Sequence, residues 1–309
     1  MSTLRKFIDK CNIDAEVAFD EPMAGHTTFR IGGPADAFVR PRSPQAMSSL
    51  MAAARAEGVA LAVMGGGANL LVADRGVRGI VASTGLLRTT RAVPGNMLRV
   101  GAGIPVTSLV GQGLEQGLSG LEFASGLPGS TGGAVFMNAR CYEHEFADVI
   151  ESVEFIDPGL GDIGSTGIER SEWSYKRTPF MHGGRLAGAV IVGATFRLAP
   201  GDRPAMAARM AELEADRRAK GHFDWPSAGS LFKNDRSFGR PSGKILDELG
   251  FRGRRIGDAM VSLKHANIFV NVGAASAADM MALIVEARAA ALKAYSIDLE
   301  PEVMLLGEF

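Results

Sequence analysis

The sequence predicts an α+β protein, and three observations support this class. Short apolar strands alternate with helix-like segments along most of the chain. The helix-like segments begin at capping residues and end near glycine. Of the 309 residues, 46% are hydrophobic and 22% are charged, which allows a buried core and excludes a mainly disordered chain. These patterns indicate the class, but they do not give the order of strands in a sheet.

Local signals define the helices. Ser43 can cap a helix over residues 44–57, Pro44 suits its first turn, and Gly58 can end it. A last helix begins at Ser276, which forms a capping box with Asp279. Further helices are predicted at residues 4–11, 105–116 and 206–220. An apolar stripe on the last helix predicts a core-facing side formed by Met280, Ile284, Ala287, Ala291 and Tyr295.

The predicted strands are short and apolar. They lie at residues 35–40, 61–64, 79–83, 98–101, 152–156 and 189–198. A turn-rich stretch at residues 198–204 separates the last of them from a charged amphipathic helix. This stretch is therefore the best candidate for a domain boundary.

Charge and cysteine content exclude several classes of protein. A formal net charge of -1 argues against a basic coat for nucleic acid or membrane. Cys11 and Cys141 make neither a disulfide framework nor a zinc site, and no metal is expected. Residues 1–10 are polar, without the apolar region of a signal peptide, and no apolar run is long enough to span a membrane. We expect a cytoplasmic protein with no nucleic-acid or membrane partner.

The first of two glycine clusters, Gly65 to Asn69, follows the strand at residues 61–64. Consecutive glycines leave backbone N–H groups unshielded, so such a turn can enclose a phosphate. The spacing matches neither the dinucleotide fingerprint of a Rossmann fold nor a P-loop. A flexible hairpin turn is the alternative interpretation.

The second glycine cluster spans residues 126–134 and contains four glycines and a proline. Ser130 and Thr131 add hydroxyl groups beside its backbone N–H groups, which suits a diphosphate. Two such anion sites some sixty residues apart suggest one extended dinucleotide rather than two ligands.

An ordered set of motifs covers nearly the whole chain. The motifs are TFRIGG at 28–33, GGGAN at 65–69, GLEFASGLPG at 120–129, GGAVFMNA at 132–139, SAGSLFKN at 227–234, KHAN at 264–267 and LEPEV at 299–303. With this set the sequence resembles the UDP-N-acetylenolpyruvoylglucosamine reductase (UDP-N-acetylmuramate dehydrogenase) family. The span from Tyr175 to Ser230 is short, as in the subtype that lacks an inserted tyrosine-bearing loop.

The resemblance implies an FAD-binding fold of the vanillyl-alcohol-oxidase/PCMH type with a C-terminal α+β substrate-binding domain. The implied domains are two FAD-binding subdomains at 1–84 and 85–203, and a substrate-binding domain at 204–309 whose C-terminal segment returns to the active site. FAD is the implied cofactor and NADPH the hydride donor. The implied cofactor-binding residues are Gly65, Gly66, Gly67, Ala68, Asn69, Leu70, Gly126, Pro128, Gly129, Ser130, Gly132, Gly133 and Asn138.

The family reaction passes a hydride from NADPH to the flavin N5 and then to the enolpyruvyl group of UDP-N-acetylglucosamine enolpyruvate, giving UDP-N-acetylmuramate for peptidoglycan synthesis. The resemblance makes Ser230 the proton donor and Glu302 the residue that stabilises the enol intermediate. Lys176 falls where the family has its catalytic arginine. The implied substrate-binding residues are Tyr175, Arg177, Lys233 and Asn234.

Several residues depart from the family pattern. Lys176 keeps the positive charge of an arginine but loses the bidentate fork. The other departures are Ala68 for serine, Arg140 and Cys141 at positions of small residues, Gly221-His222 for Gln-Pro, Asp235 for proline and Met304 for arginine. His265 is interpreted as a buried structural histidine. A flavin oxidoreductase with another substrate and a non-catalytic FAD- or sugar-nucleotide-binding protein remain alternatives. We expect a monomer.

Overall fold

The computed structural model describes residues 3–159 and 161–309. The helices are α1 (Thr3–Cys11), α2 (Pro44–Ala56), α3 (Val106–Gln116), α4 (Thr131–Phe136), α5 (Arg203–Ala219), α6 (Ser242–Glu248) and α7 (Ala277–Tyr295). The strands are β1 (Ala15–Pro22), β2 (Pro34–Pro41), β3 (Leu61–Met64), β4 (Leu70–Val72), β5 (Val77–Ser83), β6 (Thr90–Val93), β7 (Met97–Gly101), β8 (Leu118–Ser119), β9 (Arg140–Cys141), β10 (His144–Glu145), β11 (Ile150–Ile156), β12 (Ile163–Gly167), β13 (Val190–Arg197), β14 (Ala199–Pro200), β15 (Ser227–Ser230), β16 (Arg255–Ile256), β17 (Ala259–Val261), β18 (Ile268–Asn271) and β19 (Met304–Leu306).

The chain forms two compact units. Unit 1 consists of the described residues of 1–19, 37–66 and 79–214. Unit 2 consists of residues 20–36, 67–78 and 215–309. The three-part domain division drawn from the resemblance stays a prediction.

Unit 1 is built around an antiparallel five-stranded sheet. Its strand order is β12-β11-β13-β7-β6. Phe146 and Phe196 pack edge to face in its core, with ring centroids 5.9 Å apart. Helices α3 and α4 add buried apolar residues such as Leu109 and Val135 to the same cluster. This packing gives the glycine-rich segment before α4 a rigid support.

A second apolar cluster of unit 1 joins α1 and α2 to strand residues. Buried members include Phe7 of α1, Leu50 of α2 and Ile80 of β5. The hydroxyl oxygen of Ser43 accepts a hydrogen bond from the Ala46 N–H over 3.1 Å at the start of α2, as the sequence predicts. A four-stranded sheet has the order β1-β2-β5-β3, in which β3 and β5 run parallel.

Unit 2 contains an antiparallel sheet of order β15-β18-β17-β16 and the long helix α7. The predicted capping box of Ser276 and Asp279 is present. Four of the five residues predicted to face the core of α7 are buried. The prediction for Tyr295 is wrong: this last helical residue is 37% exposed, and its ring lies 4.3 Å from the Arg240 guanidinium carbon.

All five predicted helices are present, with ends shifted by a few residues. The structure adds α4 and α6, which the sequence analysis did not predict. Over residues 3–159 and 161–309, none of the helices combines the length and the apolar character needed to cross a membrane. The same residues include no cluster of three or more His, Cys, Asp or Glu side chains arranged to hold a metal ion.

Candidate active site

Two glycine-rich loops of unit 1 lie against each other. The N–H group of Gly66 donates a 3.0 Å hydrogen bond to the Ser130 hydroxyl oxygen. A Cβ atom on Gly66 would lie 2.7 Å from the Ser130 nitrogen, and one on Gly65 would lie 2.4 Å from the Ser130 hydroxyl oxygen. Only glycine allows this approach, because either Cβ would overlap the second loop. The structure therefore brings residues of both predicted anion sites together in unit 1.

The second loop leads directly into α4. The Ser130 hydroxyl oxygen also accepts from the Gly133 N–H over 3.4 Å and caps this helix. A Cβ on Gly132 would lie 2.7 Å from the Ala102 Cβ. Glycine at this position therefore lets the start of α4 pack closely against Ala102, the residue after β7. The predicted ligands Ser130, Gly132 and Gly133 thus also build the helix start.

The backbone just before α4 is specified by two left-handed glycines. Gly126 has φ +69° and Gly129 has φ +98°, on either side of the exposed Pro128. The hydroxyl oxygen of Ser125 is buried and, among the described residues, has no hydrogen-bond partner. An unpaired buried hydroxyl costs about 1–3 kcal/mol. A polar ligand atom that reaches this hydroxyl would remove that cost. Ser125 was not among the site residues predicted from the sequence.

Asn138 joins three segments of unit 1. It is fully buried and has a left-handed backbone, with φ +40°. Its amide nitrogen donates to the Ser174 carbonyl oxygen over 3.0 Å, and its amide oxygen accepts from the Ala147 N–H over 3.0 Å. The structure therefore gives Asn138 a scaffold role that the sequence did not predict, while its contact with the cofactor stays a prediction.

The segment that carries Lys176 is a tight turn. Ser174 and Arg177 exchange two backbone hydrogen bonds of 3.1 and 3.0 Å, and Lys176 has φ +54°. Thr178 donates from its hydroxyl to the Phe136 carbonyl oxygen over 2.9 Å at the end of α4. Together with the Asn138 bond to Ser174, this contact ties both ends of the turn to the segment that follows the second glycine loop.

The ring of Tyr175 lies near two cationic side chains. The Lys176 Nζ is 5.8 Å and the Arg140 guanidinium carbon is 5.9 Å from the ring centroid. These distances are within the range of cation–π attraction. Tyr175, Lys176 and Arg140 are half-buried, whereas Arg177 is exposed.

The rest of the first glycine cluster belongs to unit 2. Gly67 has φ +64°, and a Cβ there would lie 1.9 Å from the His26 carbonyl oxygen. Ala68 is half-buried in the same turn. Leu70 opens β4, which pairs in parallel with β19 by placing Leu70 opposite Met304. The predicted ligands at the end of this cluster thus lie beside the C-terminal strand.

The backbone of Glu302 is held from two sides within unit 2. Its N–H donates to the Leu231 carbonyl oxygen over 2.7 Å, next to Ser230 in sequence. Its carbonyl oxygen accepts from the Asn69 side-chain amide over 2.9 Å. The Met304 N–H donates to the Asn69 carbonyl oxygen over 3.0 Å. The structure therefore joins the predicted site residues Asn69 and Glu302 directly, and it ties Glu302 to the residue that follows Ser230.

Ser230 ends a bulged edge strand. Ser227 pairs with Val270, and Ser230 pairs with Ile268. An advance of three residues along β15 therefore corresponds to two residues along β18, so β15 contains one extra residue. Gly229 has φ +77° within this irregularity. A bulge changes the direction in which the next side chains point, and bulges are common beside active sites. The orientation of Ser230 therefore depends on the left-handed Gly229.

Lys233 and Asn234 have protein partners. The Lys233 Nζ lies 2.6 Å from the Glu300 carboxylate, whose side chain is 69% exposed. The Asn234 amide oxygen accepts from the Ser242 N–H over 2.9 Å at the start of α6. Lys233 therefore forms an ion pair with an exposed carboxylate, and Asn234 accepts a hydrogen bond at a helix start.

Two residues that depart from the family pattern have local roles. Asp235 accepts a 2.8 Å hydrogen bond from the Ser237 N–H, and this bond holds the pKa of Asp235 below its ordinary value. Met304 is 43% exposed and opens β19. The Asp235 carboxylate thus caps its own turn.

Two histidine rings lie near each other in unit 2, with centroids 6.3 Å apart. Burial lowers the pKa of His222 to about 4, with a further contribution from Arg217. Burial also lowers the pKa of His265, whose Nδ1 accepts from the Asn267 N–H over 3.2 Å. Both rings are therefore neutral near pH 7 in the folded protein.

Comparisons with known proteins agree on one family. Residues 221–306 match the model for the C-terminal domain of UDP-N-acetylenolpyruvoylglucosamine reductase, and residues 35–167 match the model of an FAD binding domain. The UDP-N-acetylenolpyruvoylglucosamine reductase of Agathobacter rectalis is 39% identical, over 94% of this chain and 94% of that protein. The one from Syntrophus aciditrophicus is 38% identical, over 97% and 95%.

A solved structure gives the same result. The crystal structure of UDP-N-acetylenolpyruvylglucosamine reductase from Thermus caldophilus superposes with a TM-score of 0.77 at 31% identity. The match covers 94% of this chain and 98% of that one. Together with the domain matches, it confirms the predicted α+β class and FAD-binding fold.

Proposed function

Because the chain belongs to the UDP-N-acetylenolpyruvoylglucosamine reductase family, we propose that it reduces UDP-N-acetylglucosamine enolpyruvate to UDP-N-acetylmuramate, with NADPH as the reductant. The observation that carries the proposal is the pairing of the Ser230 strand with the Glu302 segment. The backbone hydrogen bond from Glu302 to Leu231 keeps a hydroxyl-bearing residue and a carboxyl-bearing residue on adjoining segments of unit 2. The reaction needs both kinds of group.

The residues of unit 1 fit FAD as the cofactor. The glycines at 65 and 66 allow the first loop to approach the second closely at Ser130, and the buried Ser125 hydroxyl lacks a partner among the described residues. Backbone N–H groups and hydroxyls of this kind suit a diphosphate. FAD, when bound, supplies the hydride transfer that no amino-acid side chain can perform. The residues proposed to hold it in unit 1 are Gly65, Gly66, Gly126, Pro128, Gly129, Ser130, Gly132, Gly133 and Asn138.

The chain's own residues move the proton. In this proposal the Ser230 hydroxyl donates its proton to the substrate carbon that does not receive the hydride. The Glu302 carboxyl group stabilises the charge that develops on the substrate carboxylate as the double bond is reduced, which requires that Glu302 be protonated or hydrogen-bonded. Lys176 contributes a positive charge for the same carboxylate.

The ion pair of Lys233 bears on substrate binding. Glu300 is mostly exposed, so water weakens its attraction to Lys233. An anionic group of the substrate can therefore replace Glu300 at the Lys233 ammonium group at little cost. Asn234 supports this arrangement by holding the start of α6, and Tyr175 and Arg177 complete the proposed substrate contacts.

The proposal also covers the setting of the reaction. We propose that the chain acts as a cytoplasmic monomer without a nucleic-acid or membrane partner. The formal net charge of -1 supports the absence of nucleic-acid and membrane partners, because it gives no general attraction to anionic polymers or lipids. Light scattering on a size-exclusion column tests the monomer, since a dimer would have twice the mass of 32.5 kDa.

The test of the activity is NADPH oxidation by purified, FAD-loaded protein with and without UDP-N-acetylglucosamine enolpyruvate. We expect oxidation that depends on this substrate and yields UDP-N-acetylmuramate. UDP-N-acetylglucosamine, which lacks the enolpyruvyl group, is the matched control substrate. Bound flavin without substrate-dependent oxidation would contradict the proposal and favour another substrate or a non-catalytic role.

A further inference from the structure

Arg140 lies beside the turn that carries Lys176, and we propose that its guanidinium binds the carboxylate of the substrate together with the Lys176 ammonium group. This inference rests on the function proposed above and adds a specificity-determining residue to it. Both side chains approach the same Tyr175 ring, at 5.9 Å for the Arg140 guanidinium carbon and 5.8 Å for the Lys176 Nζ. Two cationic side chains beside one aromatic ring can each donate a charge-assisted hydrogen bond to an anion that binds there.

The hairpin that carries Arg140 is held in place. Strands β9 and β10 are joined by Tyr142 and Glu143, which have φ of +50° and +70°. Neither residue is a glycine, so the turn is strained and needs support from its surroundings. The Tyr142 hydroxyl supplies such support by donating to the Leu213 carbonyl oxygen of α5 over 2.9 Å. Arg140 therefore extends from a hairpin with a defined position.

The hairpin and the Lys176 turn share one scaffold. Asn138, two residues before Arg140, donates to the Ser174 carbonyl oxygen over 3.0 Å. Thr178 donates to the Phe136 carbonyl oxygen over 2.9 Å. These bonds fix the turn against the chain that leads into the hairpin, so Arg140 and Lys176 keep their places beside Tyr175. A preorganised pair of cations loses little entropy when it binds a ligand.

The charge of Arg140 is not neutralised by the protein. Within residues 3–159 and 161–309, Arg140 takes part in no ion pair. Glu145 lies opposite it in the hairpin. The Glu145 carboxylate instead accepts from the Asp148 N–H and lies 3.7 Å from the Arg170 guanidinium. A half-buried guanidinium without a carboxylate partner is suited to an external anion.

The chemistry of the two cations favours a carboxylate. Lysine presents a point charge, whereas the planar guanidinium of arginine offers two parallel N–H groups that match the two oxygens of a carboxylate. Lys176 supplies the charge and Arg140 supplies the fork. The substrate also carries a diphosphate, which is anionic as well, so the experiment must separate these two groups.

The test is the dissociation constant of the FAD-loaded enzyme for two ligands, measured by calorimetry and by the change in flavin absorbance. UDP-N-acetylglucosamine enolpyruvate has the carboxylate and the diphosphate, and UDP-N-acetylglucosamine has the diphosphate alone. For Arg140→Ala we expect a dissociation constant raised about tenfold for the first ligand and unchanged for the second. Arg140→Lys should restore only part of the affinity, because it returns the charge without the fork.

Arg91→Ala is the matched control, since Arg91 is an exposed arginine on β6 of the same unit. It should bind both ligands as the wild type does. FAD content and melting temperature show whether each variant is folded. Equal weakening for both ligands would move Arg140 to the diphosphate and overturn the proposal, and so would unchanged affinity for both. A wild type that neither binds nor reduces the enolpyruvyl substrate would contradict the proposed function as well.

Discussion

The side-chain amide of Asn69 donates a 2.9 Å hydrogen bond to the backbone carbonyl oxygen of Glu302, 233 residues further along the chain. The backbone of Asn69 holds the same segment, because its carbonyl oxygen accepts from the Met304 N–H over 3.0 Å. A residue of the first glycine cluster therefore fixes the segment that carries the proposed catalytic carboxyl group. The two parts of the site in unit 2 depend on each other through this residue.

Removing the amide of Asn69 should lower activity through Glu302. In Asn69→Ala the Glu302 carbonyl oxygen loses one donor, which costs about 1 kcal/mol of stability. Asn69→Asp should be worse, because it directs a carboxylate oxygen at that carbonyl oxygen. We expect kcat to fall about tenfold in the alanine variant and further in the aspartate variant. Steady-state kinetics at saturating NADPH measure both values.

Gln45→Ala is the control for Asn69, because Gln45 is an exposed amide in the first turn of α2. It should leave kcat at the wild-type value. Equal kcat values for the wild type and Asn69→Asp would show that Asn69 does not position Glu302.

Gly229→Ala should show whether activity depends on the direction in which the Ser230 side chain points. Gly250→Ala introduces similar backbone strain elsewhere and is the control. Gly229 has φ +77° and no atom within 4 Å of an added Cβ, so the variant meets backbone strain without a clash. Gly250 has φ +75° and equally open surroundings, away from the bulge in β15. Each alanine should cost about 1 kcal/mol in the free energy of unfolding. Only Gly229→Ala should also reduce kcat, since only this change alters the bulge before Ser230.

Urea unfolding and steady-state kinetics on both glycine variants provide the comparison. Equal loss of kcat in the two variants would mean that general strain, rather than the direction of Ser230, limits activity.

The sequence predicted the parts of this molecule that depend on local signals. The Ser43 cap, the Ser276–Asp279 capping box and the end of α3 at the left-handed Gly117 all follow from neighbouring residues. The helix α4 was missed because two glycines in its first turn oppose a helix. It forms because Ser130 caps it and the segment packs in the core of unit 1.

The candidate site was predicted from motifs, whereas its geometry depends on contacts between distant residues. No local pattern indicates that Asn69 meets Glu302, or that Asn138 meets the Ser174 carbonyl oxygen. The glycines at 65 and 66 were interpreted as space for an anion, and they also allow contact with the second loop. Arg140 could be noticed only as a departure from the family pattern, since its proximity to Tyr175 requires the folded chain.

Gly66→Ala should reduce FAD content, because its Cβ would lie 2.7 Å from the Ser130 backbone nitrogen and force the two loops apart. Gly111 in α3 has no atom within 4 Å of an added Cβ. Gly111→Ala should stabilise the fold by about 0.5–1 kcal/mol through helix propensity and retain FAD. The absorbance ratio of flavin to protein after desalting measures the content. Full FAD occupancy in Gly66→Ala would contradict a role for the contact between the loops in cofactor binding.

Acid should destabilise the folded protein through His222. Burial lowers the folded-state pKa of His222 to about 4, whereas the ordinary value is 6.5. Between these values the unfolded chain binds more protons than the folded chain, so this contribution to stability is complete above about pH 6.5 and is lost as the pH falls toward 4. His222→Asn cannot take up this proton, so its urea midpoint should fall less between pH 7 and pH 5 than that of the wild type.

His182→Asn is the matched control for His222, because His182 is exposed. Its urea midpoint should follow that of the wild type at every pH, since its side chain is already in contact with water in the folded protein. Burial also lowers the pKa of His265, so His265 destabilises the folded protein in acid as well. The His222→Asn variant should therefore still lose some stability between pH 7 and pH 5, but less than the wild type. Parallel midpoint curves for the wild type and His222→Asn from pH 7 to pH 5 would show that His222 is not buried as a neutral ring.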